Sequence, residues 1–179
     1  MTRANHPILV AAGVHNSLSA LLRDHQATAR AREWASGALE NLSATPANRR
    51  PLVAAGVYNP LSALLIDPQA TPKAKECAAG ALVNLSANPA NRRRLVLAGV
   101  HIPLRELLSD PQATPKAKQW AAGALGNLAC DPANRQPLVA AGVHYQLSAL
   151  FRDHQATPLT KQRAAGALRN LSMDPANFV

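Results

Sequence analysis

Aromatic residues, cysteines and long apolar runs are all scarce in this sequence. Aromatics make up 3% of its 179 residues, so any core must be built mainly from small and medium side chains. The two cysteines, Cys77 and Cys130, provide neither a disulfide framework nor a metal motif, which is typical of a reducing compartment. We therefore expect an intracellular protein, located in the cytoplasm or the nucleus.

No stretch of the chain approaches the roughly 20 consecutive apolar residues of a membrane-spanning helix. The apolar run Ile8–Ala12 is too short to be the core of a secretory signal, and equivalents of it recur later in the chain. The sequence therefore predicts no membrane insertion.

Acidic residues are outnumbered, since 10 Asp and Glu stand against 19 Lys and Arg and give a formal net charge of +9. A charge of this size favours acidic partners, whether acidic peptides, nucleic acid or an anionic membrane surface. It leaves the fold undecided.

What the sequence has in abundance is internal repetition. The segment 74–88, AKECAAGALVNLSAN, recurs at 31–45, 117–131 and 160–174, so that each copy is displaced by 43 residues from the one before. A fixed period of this length is the signature of a solenoid, in which one supersecondary unit stacks on the next. The predicted units are 1–46, 47–89, 90–132 and 133–175, and residues 176–179 begin a fifth, truncated unit.

Each unit contains signals for three helices and no strand-like alternation. In the unit 47–89 we interpret Asn48 as the N-cap of a short first helix that stops at Gly56. Asn59 is interpreted as the cap of the second helix and Thr71 as the cap of the long third helix. Apolar residues at helical spacing predict the buried side of that third helix: Ala74, Ala78, Ala81, Leu82 and Leu85.

The pattern NRRPLVAAG, PLSALL and AKECAAGALVNLS within one unit resembles the armadillo repeat, and the resemblance covers essentially the whole chain. The related HEAT repeat usually has two helices and lacks both the glycine stop and the closing ALxNLS. The resemblance implies an all-α, right-handed α-solenoid of four three-helix armadillo repeats, with the third helices lining its concave face. It also implies a function, which is to hold an extended peptide segment of another protein.

In the armadillo family, an asparagine of each third helix bonds to the main chain of the bound peptide. A carboxamide offers both donors and acceptors, so it can satisfy a peptide backbone whatever its side chains are. The alternative is that these asparagines cap or cross-link neighbouring third helices. We favour the ladder, because asparagine is a poor helix residue and needs a reason to recur. The matching positions in this chain are Asn41, Asn84, Asn127 and Asn170.

Two tryptophans, Trp34 and Trp120, lie seven residues before a ladder asparagine, on the same stripe of the third helix. Either they are exposed in the groove as contact residues, or they pack against a neighbouring third helix. Armadillo proteins that carry nuclear-import signals place a tryptophan four residues before the asparagine, where this chain has glycine. Together with a basic groove, that difference argues against an import receptor.

The glycines at that position are Gly37, Gly80, Gly123 and Gly166. A glycine within a helix costs roughly 0.5–1 kcal/mol relative to alanine, so its recurrence needs a cause. Either a neighbouring helix packs closely against it, or space is kept for a ligand backbone. Close packing is the favoured interpretation.

Basic residues recur at the start of the third helices and at the start of the first helices. Lys73 and Lys116, in the third helices, belong to the predicted groove. Cations at a helix N-terminus oppose its dipole, so we expect no local stabilisation from them. They could attract an acidic ligand, pair with Asp67 and Asp110, or form a solvated surface. The two sets are Arg30, Arg32, Lys73, Lys75, Lys116, Lys118 and Lys161, and Arg49, Arg50, Arg92, Arg93, Arg94 and Arg135.

The sequence contains no catalytic constellation. His15, His101 and His144 occupy one position of the repeat, so whole repeats separate them and they cannot share a metal at ligand distances of about 2.1 Å. No P-loop, Rossmann glycine pattern or Ser-His-Asp grouping is present. We predict no enzyme activity, no cofactor and no metal site.

The leading hypothesis is a non-enzymatic scaffold that holds an extended, acidic protein segment along the third-helix surface. One alternative is nucleic-acid binding through the basic rows. Another is a purely structural or designed scaffold that self-associates, because the terminal repeats lack the polar outer face of natural capping repeats. The apolar residues of the first repeat that suggest this are Ile8, Leu9, Leu18, Leu21 and Leu22.

Overall fold

A computed structural model describes residues 5–173, and this part of the chain forms twelve α-helices and no β-strand. A short 3-10 helix, Pro46–Asn48, precedes the fourth α-helix. The α-helices are α1 (His6–Ala11), α2 (Val14–Arg23), α3 (Ala29–Ala44), α4 (Arg49–Ala54), α5 (Tyr58–Ile66), α6 (Pro72–Ser86), α7 (Pro89–Leu97), α8 (His101–Ser109), α9 (Pro115–Ala129), α10 (Pro132–Ala140), α11 (Val143–Arg152) and α12 (Pro158–Ser172).

Two short helices and one long helix recur in each repeat. The long third helices, α3, α6, α9 and α12, pack side by side in chain order, and each also packs against the second helix of its own repeat. The predicted all-α solenoid of four three-helix repeats is confirmed. The residue boundaries assigned to the units stay a prediction, and the fifth unit, 176–179, lies outside the described residues.

Residues close to each helix end determine where the helices of a repeat begin and stop. The glycine predicted to stop each first helix has a left-handed backbone at all four positions, with φ between 73° and 76°, as at Gly56. Such a φ is strained for any residue with a Cβ. The side chain of Thr71 accepts a hydrogen bond from the backbone N–H of Ala74 at 3.0 Å, which confirms the predicted N-cap.

Asn48 occupies the predicted N-cap position of α4, but its side chain does not cap that helix. Its side chain makes no N-cap hydrogen bond; instead Nδ2 donates to the carbonyl oxygen of Leu42 at 3.0 Å, in the last turn of α3. Asn91 and Asn134 do the same at the ends of α6 and α9. The last carbonyls of a helix have no intrahelical partner, and these buried amides supply one. The caps of α7 and α10 are the residues three positions earlier, Asn88 and Asp131.

The prediction that Asn59 caps the second helix is wrong, because α5 begins at Tyr58 and its N-cap position is Val57. The predicted buried side of the third helix is confirmed, since Ala74, Ala78, Ala81, Leu82 and Leu85 are each at most 1% exposed. Small alanines on this side allow consecutive third helices to approach closely. The ladder asparagines therefore lie one repeat apart on neighbouring helices.

Candidate functional site

We call the surface of α3, α6, α9 and α12 that carries the predicted ladder asparagines the third-helix face. On it, Asn84 donates through Nδ2 to the carbonyl oxygen of Glu40 and to Oγ of Ser43, both at 3.3 Å. A backbone carbonyl can only accept, which fixes the nitrogen of the amide on that side. The Nδ2 group of Asn84 is thus directed at the preceding third helix.

The next two junctions repeat this bond. Nδ2 of Asn127 donates to the carbonyl oxygen of Val83 at 3.2 Å, and Nδ2 of Asn170 donates to that of Gly126 at 3.0 Å and lies 3.3 Å from Sγ of Cys130. The cross-linking interpretation therefore describes a real contact at three asparagines. The carbonyl oxygen of each amide has no hydrogen-bond partner among residues 5–173 and can accept a bond from a ligand, so the predicted ladder would act through acceptors.

Asn41 has a different environment. Its side chain is exposed and makes no hydrogen bond with any residue of the described range, because no third helix precedes α3 there. It borders a cleft of about 470 Å³ that Leu9 and Leu18 also line. The first position of the predicted ladder thus lacks the cross-link that orients the other three amides.

The two tryptophans take the two predicted alternatives. Trp34 is 65% exposed, and the guanidinium of Arg30 lies 5.0 Å from its ring centroid. Trp120 is half-buried against the core, with Nζ of Lys116 at 6.0 Å from its ring centroid. The indole N–H of Trp120 is buried and has no hydrogen-bond partner among residues 5–173. Of the two tryptophans, Trp34 presents the broader aromatic surface to a ligand.

The recurrent glycines are explained by packing at two positions. A Cβ on Gly80 would lie 2.7 Å from Cδ of Glu40, whose side chain lies over it from the preceding repeat. A Cβ on Gly123 would lie 3.3 Å from Cγ2 of Val83. The residue just before a ladder asparagine therefore covers the glycine of the following repeat, as the favoured interpretation requires.

The other two glycines are less crowded. A Cβ on Gly37 would meet Sγ of Cys77 at an ordinary 3.8 Å, and a Cβ on Gly166 would meet nothing within 4 Å. Gly37 is half-buried and Gly166 is exposed, whereas Gly80 and Gly123 are buried. Of the four predicted groove glycines, Gly166 is the most accessible.

The basic groove expected from the sequence is interrupted by carboxylates that sequence reasoning missed. Glu76 is bound by Nζ of Lys73 at 2.7 Å and by Oγ1 of Thr114 at 2.9 Å, and Nζ of Lys116 lies 3.6 Å away. Burial alone would raise the pKa of Glu76, but the hydrogen bonds from Lys73 and Thr114 outweigh it and lower that pKa. The spacing of Lys73 and Glu76, three residues apart on one helix, was the signal for this pair.

Glu40 and Cys77 form a second partly buried pair on the same face. Burial raises the pKa of the Glu40 carboxyl, although a hydrogen bond with Cys77 acts in the opposite direction. Burial, and then the nearby Glu40 carboxylate, raises the pKa of the Cys77 thiol to about 11. The thiol is therefore neutral near pH 7, and the Glu40 side chain beside it fills the space over Gly80 at this junction.

The outer basic residues of the third helices pair between repeats. Arg32 contacts Asp67 at 2.5 Å and Lys75 contacts Asp110 at 2.9 Å, so the pairing hypothesis is confirmed for these two. The hydrogen bond from Lys75 lowers the pKa of Asp110 below its usual value. These cations are engaged in joining neighbouring repeats.

Three arginines of the first helices also have a structural role, and the prediction that they add no local stability is wrong. Nε of Arg92 donates to the carbonyl oxygen of Ser86 at 3.2 Å, and Arg49 and Arg135 make the equivalent bonds at the ends of α3 and α9. They lie at the C-terminus of the preceding third helix, where a cation is favourable. Their sequence position at the start of the first helices suggested an interaction with the N-terminus of those helices, whereas the bonds are made to the C-terminus of the preceding third helix.

Within residues 5–173 no group of His, Cys, Asp and Glu side chains is arranged to hold a metal ion. No helix in that range is both long and apolar enough to cross a bilayer.

The chain is similar in structure to designed and engineered repeat proteins. It matches a designed armadillo repeat protein in complex with the peptide (KR)4, with a TM-score of 0.82, 26% identity, and coverage of 94% of this chain and 69% of that one. A second designed armadillo repeat protein gives a TM-score of 0.82 at 27% identity, covering 95% and 69%. An engineered protein matches with a TM-score of 0.83 and 24% identity. The match covers 96% of this chain but 41% of that longer chain. No family model and no curated protein matches the sequence.

Proposed function

The chain is an armadillo-like repeat protein, and on that premise we propose that it is a non-enzymatic scaffold that holds an extended, acidic segment of another protein along its third-helix face. One observation carries the proposal. Asn84, Asn127 and Asn170 are held by the same cross-link, and each keeps a side-chain oxygen that can accept a hydrogen bond. A row of identical acceptors suits a ligand whose N–H groups recur regularly.

An extended peptide is such a ligand. It advances about 3.3 Å per residue, and packed helices lie about 8–10 Å apart. Each repeat would therefore meet roughly two or three ligand residues. The backbone N–H groups of the ligand would donate to the asparagine oxygens, while its side chains meet the residues between them. The exposed ring of Trp34 would add apolar contact at one end.

The acidic character of the ligand is supported by the charges that the protein does not neutralise itself. Arg163 and Arg169 on α12 make no ion pair with another residue of the described range. The carboxylates Glu40 and Glu76 lie on α3 and α6 and are engaged with Cys77, Lys73 and Thr114. The peptide (KR)4 of the designed neighbour is basic. For this chain we propose the opposite charge preference, because Arg163 and Arg169 have no carboxylate partner among residues 5–173.

The test is the double variant Asn84→Ala with Asn127→Ala, titrated with an octapeptide of alternating Glu and Ser. We expect binding to be lost, because two acceptors disappear from the middle of the row. These variants also lose cross-links worth about 0.5–1.5 kcal/mol each. The matched control is Ser43→Ala with Ser86→Ala, which loosens the same cross-links but leaves the asparagine oxygens in place.

If the asparagine variant binds as well as the wild type, the third-helix face is not the binding surface. If the serine control weakens binding equally, the asparagines act only as structural cross-links. Thermal unfolding of wild type, the asparagine variant and the serine control separates a loss of contacts from a loss of fold.

A second candidate is nucleic-acid binding, which the exposed Arg50, Arg93 and Arg94 on the first helices favour. Binding of this kind falls steeply with salt, in proportion to the number of phosphates neutralised. Titration of a single-stranded oligonucleotide at two salt concentrations tests it. A flat response excludes this use of the first-helix arginines.

Self-association is a separate proposal for the first repeat. Ile8 is 66% exposed, and the next residue, Leu9, lines a cleft together with Leu18 and Asn41. A second copy could cover both. Light scattering of wild type and Ile8→Lys should then show a mass that rises with concentration for the wild type alone. A clean monomer at high concentration contradicts the proposal.

A further inference from the structure

One junction between third helices is open where the other two are filled. Glu40 covers Gly80 at the first junction and Val83 covers Gly123 at the second. At the third junction the covering residue is itself a glycine, Gly126, so nothing lies over Gly166. Two missing side chains leave a cleft of about 430 Å³ between α9 and α12 on the third-helix face.

Among the residues that the structure describes, those lining this cleft carry positive charge and no negative charge. Cδ and Nε of Arg163 lie 3.7 and 3.9 Å from the place where a Cβ on Gly123 would be, so its stem crosses the cleft wall. Arg169 borders the cleft from the next turns of α12, and none of the residues lining it is Asp or Glu. Neither arginine is paired with a carboxylate between residues 5 and 173.

We propose that this cleft is a binding pocket for a carboxylate side chain, Asp or Glu, of the extended segment. The inference depends on the proposed function, because it assigns one acidic side chain of the proposed ligand to the junction between α9 and α12. A planar guanidinium binds a carboxylate through two parallel hydrogen bonds, a geometry that lysine cannot offer. The glycine walls leave the space that a side chain with a terminal carboxylate needs.

The neighbouring amides favour a peptide over a phosphate backbone. Asn127 and Asn170 both line the cleft, and their Nδ2 groups are engaged with α6 and α9. Their side-chain oxygens, which have no hydrogen-bond partner among residues 5–173, can accept a hydrogen bond from a peptide N–H but repel a phosphate, which has only acceptors. A peptide carboxylate next to a peptide N–H satisfies both the arginines and the amides.

The charge of the pocket is tested with Arg163→Gln plus Arg169→Gln. The octapeptide of alternating Glu and Ser should bind at least about ten-fold more weakly to this variant than to wild type, because charge-assisted hydrogen bonds are lost. The same peptide with Gln in place of Glu should bind both proteins equally. Arg50→Gln plus Arg93→Gln is the charge-matched control on the first helices, and it should leave binding of the acidic peptide unchanged.

The space in the pocket is tested at Gly126. Valine there reproduces the packing that Val83 gives the preceding junction, and it should weaken binding of the acidic peptide about as much as loss of the arginines. Alanine is the control, since its methyl group meets Ala167 at an ordinary 3.4 Å and leaves most of the cleft open. We expect near-wild-type binding for Gly126→Ala.

The outcomes separate this inference from the proposed function. If the arginine and valine variants bind the acidic peptide like wild type while the asparagine variant does not, the pocket is wrong and the scaffold stands. If wild type binds neither peptide, both are wrong. If an oligo-dT strand binds in place of the peptide and is released by Arg163→Gln with Arg169→Gln, the cleft is a phosphate site and the peptide proposal is overturned.

Discussion

The third-helix face differs between its first and second halves. On α3 and α6 the carboxylates of Glu40 and Glu76 are held in contacts that close the surface. On α9 and α12 the position of Glu40 is taken by Gly126 and Arg169, and that of Glu76 by Gln119 and Gln162. The junction between these two helices is open. The asparagine cross-link is the same in both halves. The residue before the asparagine therefore decides whether a junction is packed or available to a ligand.

The largest difference we predict between the halves is in thiol reactivity. Cys77 is buried under Glu40 with a pKa of about 11, whereas Cys130 is exposed at the open junction. Only the thiolate reacts, so a thiol-specific reagent at about pH 8 should label Cys130 at least a hundred-fold faster than Cys77. Mass spectrometry of Cys77→Ser and Cys130→Ser proteins measures each rate. Comparable rates would mean that the first half is not closed.

Glycine substitution should separate the halves by a smaller amount. Gly166→Ala should raise the free energy of unfolding by roughly 0.5–1 kcal/mol, because alanine is the better helix residue and nothing lies within 4 Å of the new Cβ. Gly80→Ala should give no such gain, since the carboxylate of Glu40 must move away. Chemical denaturation of both proteins provides the measurement. Equal stabilisation would contradict the packing account of Gly80.

The smallest effect concerns the pH dependence of the closed half. The folded-state pKa of Glu40 is raised by burial, so its ionised form costs stability near neutral pH and this cost disappears as the carboxyl is protonated. Glu40→Gln should therefore stabilise the protein by about 0.5 kcal/mol or less at pH 7 and by nothing below about pH 4.

Glu76→Gln is the opposite control for this pH dependence. The pKa of Glu76 is lowered on folding, so its contribution is present above the unfolded pKa and is lost as the pH falls through the folded one. Glu76→Gln should destabilise the protein near neutral pH. Urea denaturation at both pH values measures the two variants, and a loss of stability in Glu40→Gln would contradict the assigned direction.

The sequence predicted most of what local chemistry controls. The threonine caps, the glycine stops and the alanine-rich buried side each depend on residues within a few positions, as at Thr71 and Gly56. The period of 43 residues predicted that the units stack on one another. The solenoid follows from these two kinds of signal together.

The contacts between repeats were predicted less well. The roles of Asn48 and Arg49 at the end of α3, and that of Glu40 over Gly80, depend on pairs of residues in different helices. Gly126 appears in the sequence as one more glycine, and its effect is visible only when Gly166 is found opposite it. Glu40 and Gly80, like Gly126 and Gly166, are 40 residues apart, so no local pattern reveals these two pairs.

The central claim is that an extended acidic segment lies along the ladder asparagines, and side-chain amide signals report on it directly. In an NMR titration with the octapeptide of alternating Glu and Ser, we expect the carboxamide resonances of Asn84, Asn127 and Asn170 to shift. Those of Asn134, which is buried at the end of α9, should stay in place. Shifts confined to the first helices, or none on the third-helix face, would contradict the account.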